Sequence, residues 1–258
     1  MRTSNQTFVF EKSLDRINAI LNDSNTYDEA DDIPKVEDLT FKNGKYVKCV
    51  AFFIDLRGST DLIKTQGKKS RTLARIYRAY ISEIVAIVNS YKTCREVNIV
   101  GDCVSAVFAG KEEDSQIPVI EALRTAAMSN GMMKVLNIKF QKKWGEDFKE
   151  IKAGIGIALG RALVIKAGFN GSGIKDLIYM GDVVNRASKM CGLAHKEYNA
   201  SICVTESVYS SSEGFKFGAN NNTTYQNFFK ARNHEKHGTV YIGDFVSQYI
   251  EKWVKENK

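Results

Sequence analysis

The sequence predicts an α+β fold: a ferredoxin-like βαββαβ sandwich core, with an N-terminal helix before it and a C-terminal extension after it. Three observations carry this. Residues 47–60, VKCVAFFIDLRGST, run mostly apolar or β-branched up to Asp55 and then break at Arg57-Gly58-Ser59-Thr60, the pattern of a buried strand ending in a turn. Residues 70–91 and 118–140 carry apolar stripes at helical spacing: Leu73, Ile76, Tyr80, Ile84, Ile87 and Val88 in the first, Ala122, Leu123, Ala126, Met133 and Leu136 in the second. Between these helices, EVNIVG and CVSAVFAG meet at Gly101-Asp102, which is a hairpin signal.

Taken in order, residues 8–21 place Phe10, Leu14, Ile17 and Leu21 on one helical face, so an amphipathic helix that packs on the core is expected first. The acidic stretch Tyr27 to Asp32, closed by Ile33-Pro34, reads as a solvated linker. After Asp55, Gly58-Ser59-Thr60 turns the chain and caps a short helix, Asp61 to Lys64, which Gly67 ends. Beyond the second long helix, IKAGIGIALGRALVIKAG (151–168) reads as two strands around Gly160, with extra glycines where another backbone approaches closely. A short strand, Leu177 to Met180, then stops at Gly181, and a helix begins near Asp182 with Val183, Ala187 and Met190 inward. Asn185 and Lys189, four apart, share one side of that helix. Residues 201–210 give a strand and short helix, 211–238 a polar loop, 239–243 a late strand, and 245–254 a closing helix. The chain divides on this reading into a helix and linker (1–46), one large domain (47–245) and a C-terminal helix (246–258).

Composition narrows the function. A chain of 258 residues with ordinary charge content forms one substantial core. It has no apolar run of the roughly 18 to 20 residues that span a bilayer, and its first 25 residues lack a signal-peptide core, so a cytoplasmic protein without membrane contact is expected. Five cysteines with no CxxC pair read as reduced thiols. The net charge of +7 comes from lysines scattered among acids, and nucleic-acid modules and zinc-finger spacings are missing. Nucleic acid is therefore not the expected partner, whereas a nucleoside triphosphate suits the same balance. GxSxG and GxxxxGK[ST] are both absent, so triphosphate binding needs another device.

That device is a carboxylate pair. Asp55 ends one strand and Asp102 sits in the hairpin turn; if the strands are neighbours, the two acids converge at one sheet edge, as a divalent-metal site for phosphoryl chemistry requires. In order and spacing, FFIDLRGST, EVNIVGDCVSAVF, IGIALG and MGDVVNRASKM resemble the class III nucleotidyl cyclase catalytic domain over residues 47–245. The resemblance implies that Asp55 and Asp102 hold two divalent ions, Mg²⁺ or Mn²⁺, with the Leu56 carbonyl as a further ligand. It implies that the backbone of Arg57, Gly58, Ser59 and Thr60 cradles the phosphates. Asn185 matches the ribose-orienting asparagine, and Lys189 stands where the family has an arginine, keeping the charge but losing the bidentate fork. Lys236 is a stand-in for the family's triphosphate lysine. Because the metal aspartates and the Asn/Arg pair come from different chains in this family, a homodimer with composite active sites is implied.

For the base, purine cyclases carry lysine and aspartate or threonine, or glutamate and cysteine, where this chain has Asn98 and Ile178. Asn98 donates and accepts, while Ile178 offers bulk alone. This pattern resembles the pyrimidine cyclases of antiphage Pycsar systems, which make cyclic UMP or cyclic CMP for a separate effector protein. The resemblance leans to UTP, with CTP, an adenylate cyclase of divergent pocket and an inactive nucleotide-binding dimer as alternatives.

Overall fold

The computed structural model describes residues 7–22, 24, 26–59, 70–110, 116–145, 148–169, 174–218 and 222–257. Thr60, the expected helix at 61–64 and Gly67 lie outside them. The described strands form one mixed sheet whose spine is a long antiparallel pair, β2 (Asn43–Arg57) against β5 (Lys152–Phe169), in register from Gly44↔Ile165 to Arg57↔Lys152. On one side of β2 lies the hairpin of β3 (Cys94–Val100) and β4 (Cys103–Ala109). On the other side of β5 the order continues through β7 (Ile202–Thr205), β9 (Gly238–Gly243) and β8 (Phe229–His234). A further strand, β6 (Ile174–Met180), pairs the far half of β5.

The alternation of side chains along β2 divides the sheet into two faces. Val50, Phe52, Ile54 and Leu56 join the larger core, under two helices, α2 (Ser70–Val88) and α3 (Gln116–Trp144). Cys49, Ala51 and Phe53 face the other way, against Val183 and Ala187 of α4 (Asp182–Leu193). This second face is lined with small residues because a helix backbone lies directly on it. A Cβ at Gly156 would collide with the Cys191 amide and the Ala187 carbonyl of α4. Since both obstacles are main chain, Gly156→Ala should cost about 3 kcal/mol, at the upper end of overpacking penalties, read as a lower urea midpoint at unchanged slope.

Four expectations change. Gly160 does not divide two strands: β5 runs unbroken for 18 residues, because Gly156 and Gly160 face α4 rather than turn the chain. The acidic stretch is not merely a linker. Thr26–Glu29, β1, pairs parallel to β2, and Asp32 takes a forked ion pair from Arg95, with N–O distances of 2.7 to 2.9 Å. The polar loop 211–238 holds an aromatic cluster, Phe217, Tyr225, Phe228 and Phe229 around Phe245, and supplies edge strand β8. The first helix, α1 (Phe10–Leu21), forms where its periodicity places it, yet it buries no residue, and Phe10, Leu14, Ile17 and Leu21 stay exposed. The closing helix α6 (Gln248–Asn257) packs Ile250 and Val254 beside Met128, Val135 and Ile138 of α3. Among the described residues, no helix is long and apolar enough to cross a membrane.

Candidate active site

Asp55 and Asp102 come together because β2 and β3–β4 are neighbours in the sheet. The hairpin turns in two residues, with Gly101 at φ +63°, a conformation that glycine takes without penalty. Asp102 is close enough to act on Asp55: the Asp55 pKa is raised, first by burial and then by the Asp102 charge, against the lowering effects of Arg57 and Lys196. The Oδ2 atom of Asp102 is buried and has no hydrogen-bond partner among the described residues. Two acids in mutual repulsion and an orphaned oxygen suit a cation, which would relieve both. No cluster of three or more Asp, Glu, His or Cys is found among the described residues, so a bound ion would need oxygens from the main chain or from a ligand as well.

Arg57 turns inward. Its Nη1 donates to Asp55 Oδ2 at 3.1 Å, its Nε to the Ala194 carbonyl at 2.8 Å, and its Nη2 to the Cys191 carbonyl. Cationic donors on the last carbonyls of a helix are favourable, and here they tie Asp55 to the C-terminus of α4. Room for this guanidinium comes from Gly154, where any Cβ would collide with it. Sequence reasoning missed this side-chain role; the only trace is glycine at 154 and 156, alternate positions of one strand face. Leu56 packs its side chain into the larger core. Gly58 takes φ +66°, and Ser59 hydrogen-bonds Tyr77.

Asn185 and Lys189 lie on the exposed side of α4. Lys189 acts, together with Lys236, on His237 in the β8–β9 turn. Val183, at the start of α4, lies over Gly160, which pairs with Cys49, whereas Asp55 pairs with Gly154 and is tied through Arg57 to the other end of the helix, so Asn185 lies toward the end away from Asp55 within one chain. Asn98 is exposed on β3, and its Nδ2 donates to Glu96 Oε1 at 2.5 Å. Tyr179 of β6 donates its hydroxyl to Glu96 Oε2 at 2.6 Å. Alternation turns Leu177 and Tyr179 onto the sheet and leaves Ile178 and Met180 exposed, so β6 delivers Tyr179 rather than Ile178 to the side of Asn98.

The sequence profile of the adenylate and guanylate cyclase catalytic domain matches residues 41–241. The chain belongs to this family. A uridylate cyclase of Gulbenkiania mobilis is 64% identical to this cyclase over 259 residues, covering 100% of both chains. A second uridylate cyclase, from Treponema porcinum, is 37% identical over 194 residues, 75% of this chain and 65% of that one. Among solved structures, the adenylyl cyclase CyaB from P. aeruginosa superposes with a TM-score of 0.61 at 19% identity, over 80% of this chain and 97% of its own. At that identity the likeness speaks for the fold, and the mixed α+β architecture described above is the one these cyclases share.

Proposed function

We propose that this cyclase converts UTP to 3′,5′-cyclic UMP and pyrophosphate. The observation that carries the reading is the end-to-end likeness, at 64% identity, to a protein named uridylate cyclase. The acid pair supports the chemistry, and Asn98, at a position where purine cyclases carry lysine or glutamate, supports a pyrimidine.

In the reaction the ribose 3′-oxygen attacks the α-phosphorus, the bond to the β-phosphate oxygen breaks, and pyrophosphate leaves. Asp55 and Asp102, with the Leu56 carbonyl, would hold two divalent ions, Mg²⁺ or Mn²⁺. When bound, these neutralise the triphosphate and lower the pKa of the attacking hydroxyl. The protein's own parts do the positioning. Arg57 fixes the Asp55 carboxylate, and the backbone at Gly58 and Ser59 faces the phosphates. Asn185 orients the ribose, and Lys189 meets the charge that develops on the phosphates, with Lys236 beside it. The lie of Asn185 toward the end of α4 away from Asp55 supports a homodimer in which each site takes its acids from one protomer and its α4 residues from the other. The cyclic nucleotide would then act on a separate effector, the role that such a second messenger has in antiphage defence.

The test is incubation of purified protein with ATP, GTP, CTP or UTP and Mn²⁺, with products identified by mass spectrometry. Cyclic UMP is expected as the main product. Cyclic AMP from ATP as the main product would overturn the reading of the base, and the absence of any cyclic nucleotide would overturn the reaction.

A further inference from the structure

The base end of the site holds a hydrogen-bonded relay that the reaction does not require. Glu96 is the acceptor at its centre: Asn98 Nδ2 donates to Oε1 at 2.5 Å, and the Tyr179 hydroxyl donates to Oε2 at 2.6 Å. The three residues come from two strands that are not hydrogen-bonded to each other, β3 and β6, and the sheet order places β4, β2 and β5 between those strands. Glu96 and Asn98 project from the same face of β3, being two residues apart. Tyr179 is half-buried and packs with the cluster under α4, whereas Asn98 is exposed.

A primary amide has two ends of opposite character, and a carboxylate only accepts. With Glu96 against it, Asn98 must turn its nitrogen toward Oε1, because the flipped amide would set two acceptors against each other. Tyr179 holds Glu96 in place from the other oxygen. Burial and the hydrogen bond to Glu96 both raise the Tyr179 pKa, so it remains a protonated donor. The Asn98 amide is therefore locked in one orientation, with its Oδ1 turned away from Glu96 and unpaired among the described residues.

We propose that Glu96 and Tyr179 are positioning residues that set the choice of base by locking Asn98, so that its carbonyl oxygen meets the N3–H of uracil. Cytosine at the same place presents an unprotonated N3, an acceptor against an acceptor. Guanine and adenine would have to fit their larger frames over the same fixed group. Once the lock is released, Asn98 is free to flip and offer its NH₂ to cytosine N3, and discrimination between the pyrimidines falls. The inference rests on the proposed function, since it takes Asn98 to face the base.

The test is the ratio of kcat/KM for UTP to that for CTP in the full-length protein, measured for wild type, Glu96→Gln, Tyr179→Phe and each of these combined with Asn98→Ala. In Glu96→Gln the amide that replaces the carboxylate can both donate and accept, so Asn98 can take either orientation. The UTP:CTP ratio is expected to fall roughly tenfold in Glu96→Gln and Tyr179→Phe, the size of one mismatched hydrogen bond. In the Asn98→Ala background neither substitution should change the ratio further. A merely structural role would lower both nucleotides together and leave the ratio where it was. A wild type that prefers UTP, with the preference intact in Glu96→Gln and Tyr179→Phe, overturns the lock and spares the function. A wild type that cyclises no pyrimidine overturns both.

Discussion

Asp102→Asn is expected to lower cyclisation by about a thousandfold or more while the protein still folds, since in the proposed reaction several kcal/mol of charge stabilisation on the phosphates would depend on ions that this acid would help to hold. Asp55→Asn should lose activity to a similar extent but differ in stability. The raised pKa of Asp55 means that the folded, metal-free chain holds the Asp55 proton more tightly than the unfolded chain does. Its contribution to stability is therefore full at low pH, and it is lost as pH rises from the ordinary aspartate value through the raised one. At pH 7 the metal-free wild type carries that loss, whereas the asparagine variant does not, and it retains a side-chain oxygen for Arg57. The expected result is a higher Tm for Asp55→Asn than for wild type in EDTA, with the order reversed in saturating Mn²⁺. Turnover within tenfold of wild type in either variant would remove the acids from the metal site.

Mixing two inactive variants should restore activity. If Asp55 and Asp102 of one protomer work with Asn185 and Lys189 of the other, Asp102→Asn and Asn185→Ala each spoil both sites of their own dimer. A mixed dimer places both lesions in one site and leaves the other intact. After subunit exchange at equal concentrations, half the dimers are mixed and each has one working site of two, so turnover should recover to about a quarter of wild type. Size-exclusion chromatography with one tagged variant establishes that exchange has occurred. Exchange without recovery would mean that all four residues act within a single chain.

The parts of this molecule that a sequence shows are those with a period or a breaker. The stripe from Leu73 to Val88, the apolar run into Asp55 and the turn at Gly101-Asp102 each predict their element, and with it the meeting of two acids at one edge. What escapes is pairing at a distance without a pattern. Arg57 answers to main-chain carbonyls 134 and 137 residues further on, and any residue supplies a carbonyl. Glu96 and Tyr179 are 83 residues apart, on strands that do not pair. The segment 211–238 looked like a loop because its aromatics fall at no regular spacing, yet ring packing around Phe245 needs none. Strand β1, Thr26–Glu29, carries one tyrosine among three polar residues and buries none of them, so only its backbone pairing with β2 marks it as a strand.

The inward turn of Arg57 bears on how two sites in one dimer would behave. In the proposed assembly, the Asp55 that it grips serves one site, while the helix whose last carbonyls it also grips carries Asn185 and Lys189 to the other. A single guanidinium thus stands between the metal end of one reaction centre and the ribose end of its twin. In that assembly a cation arriving at Asp55 would compete with Arg57 for the carboxylate, so loading one centre would change the restraint on the helix that furnishes the second.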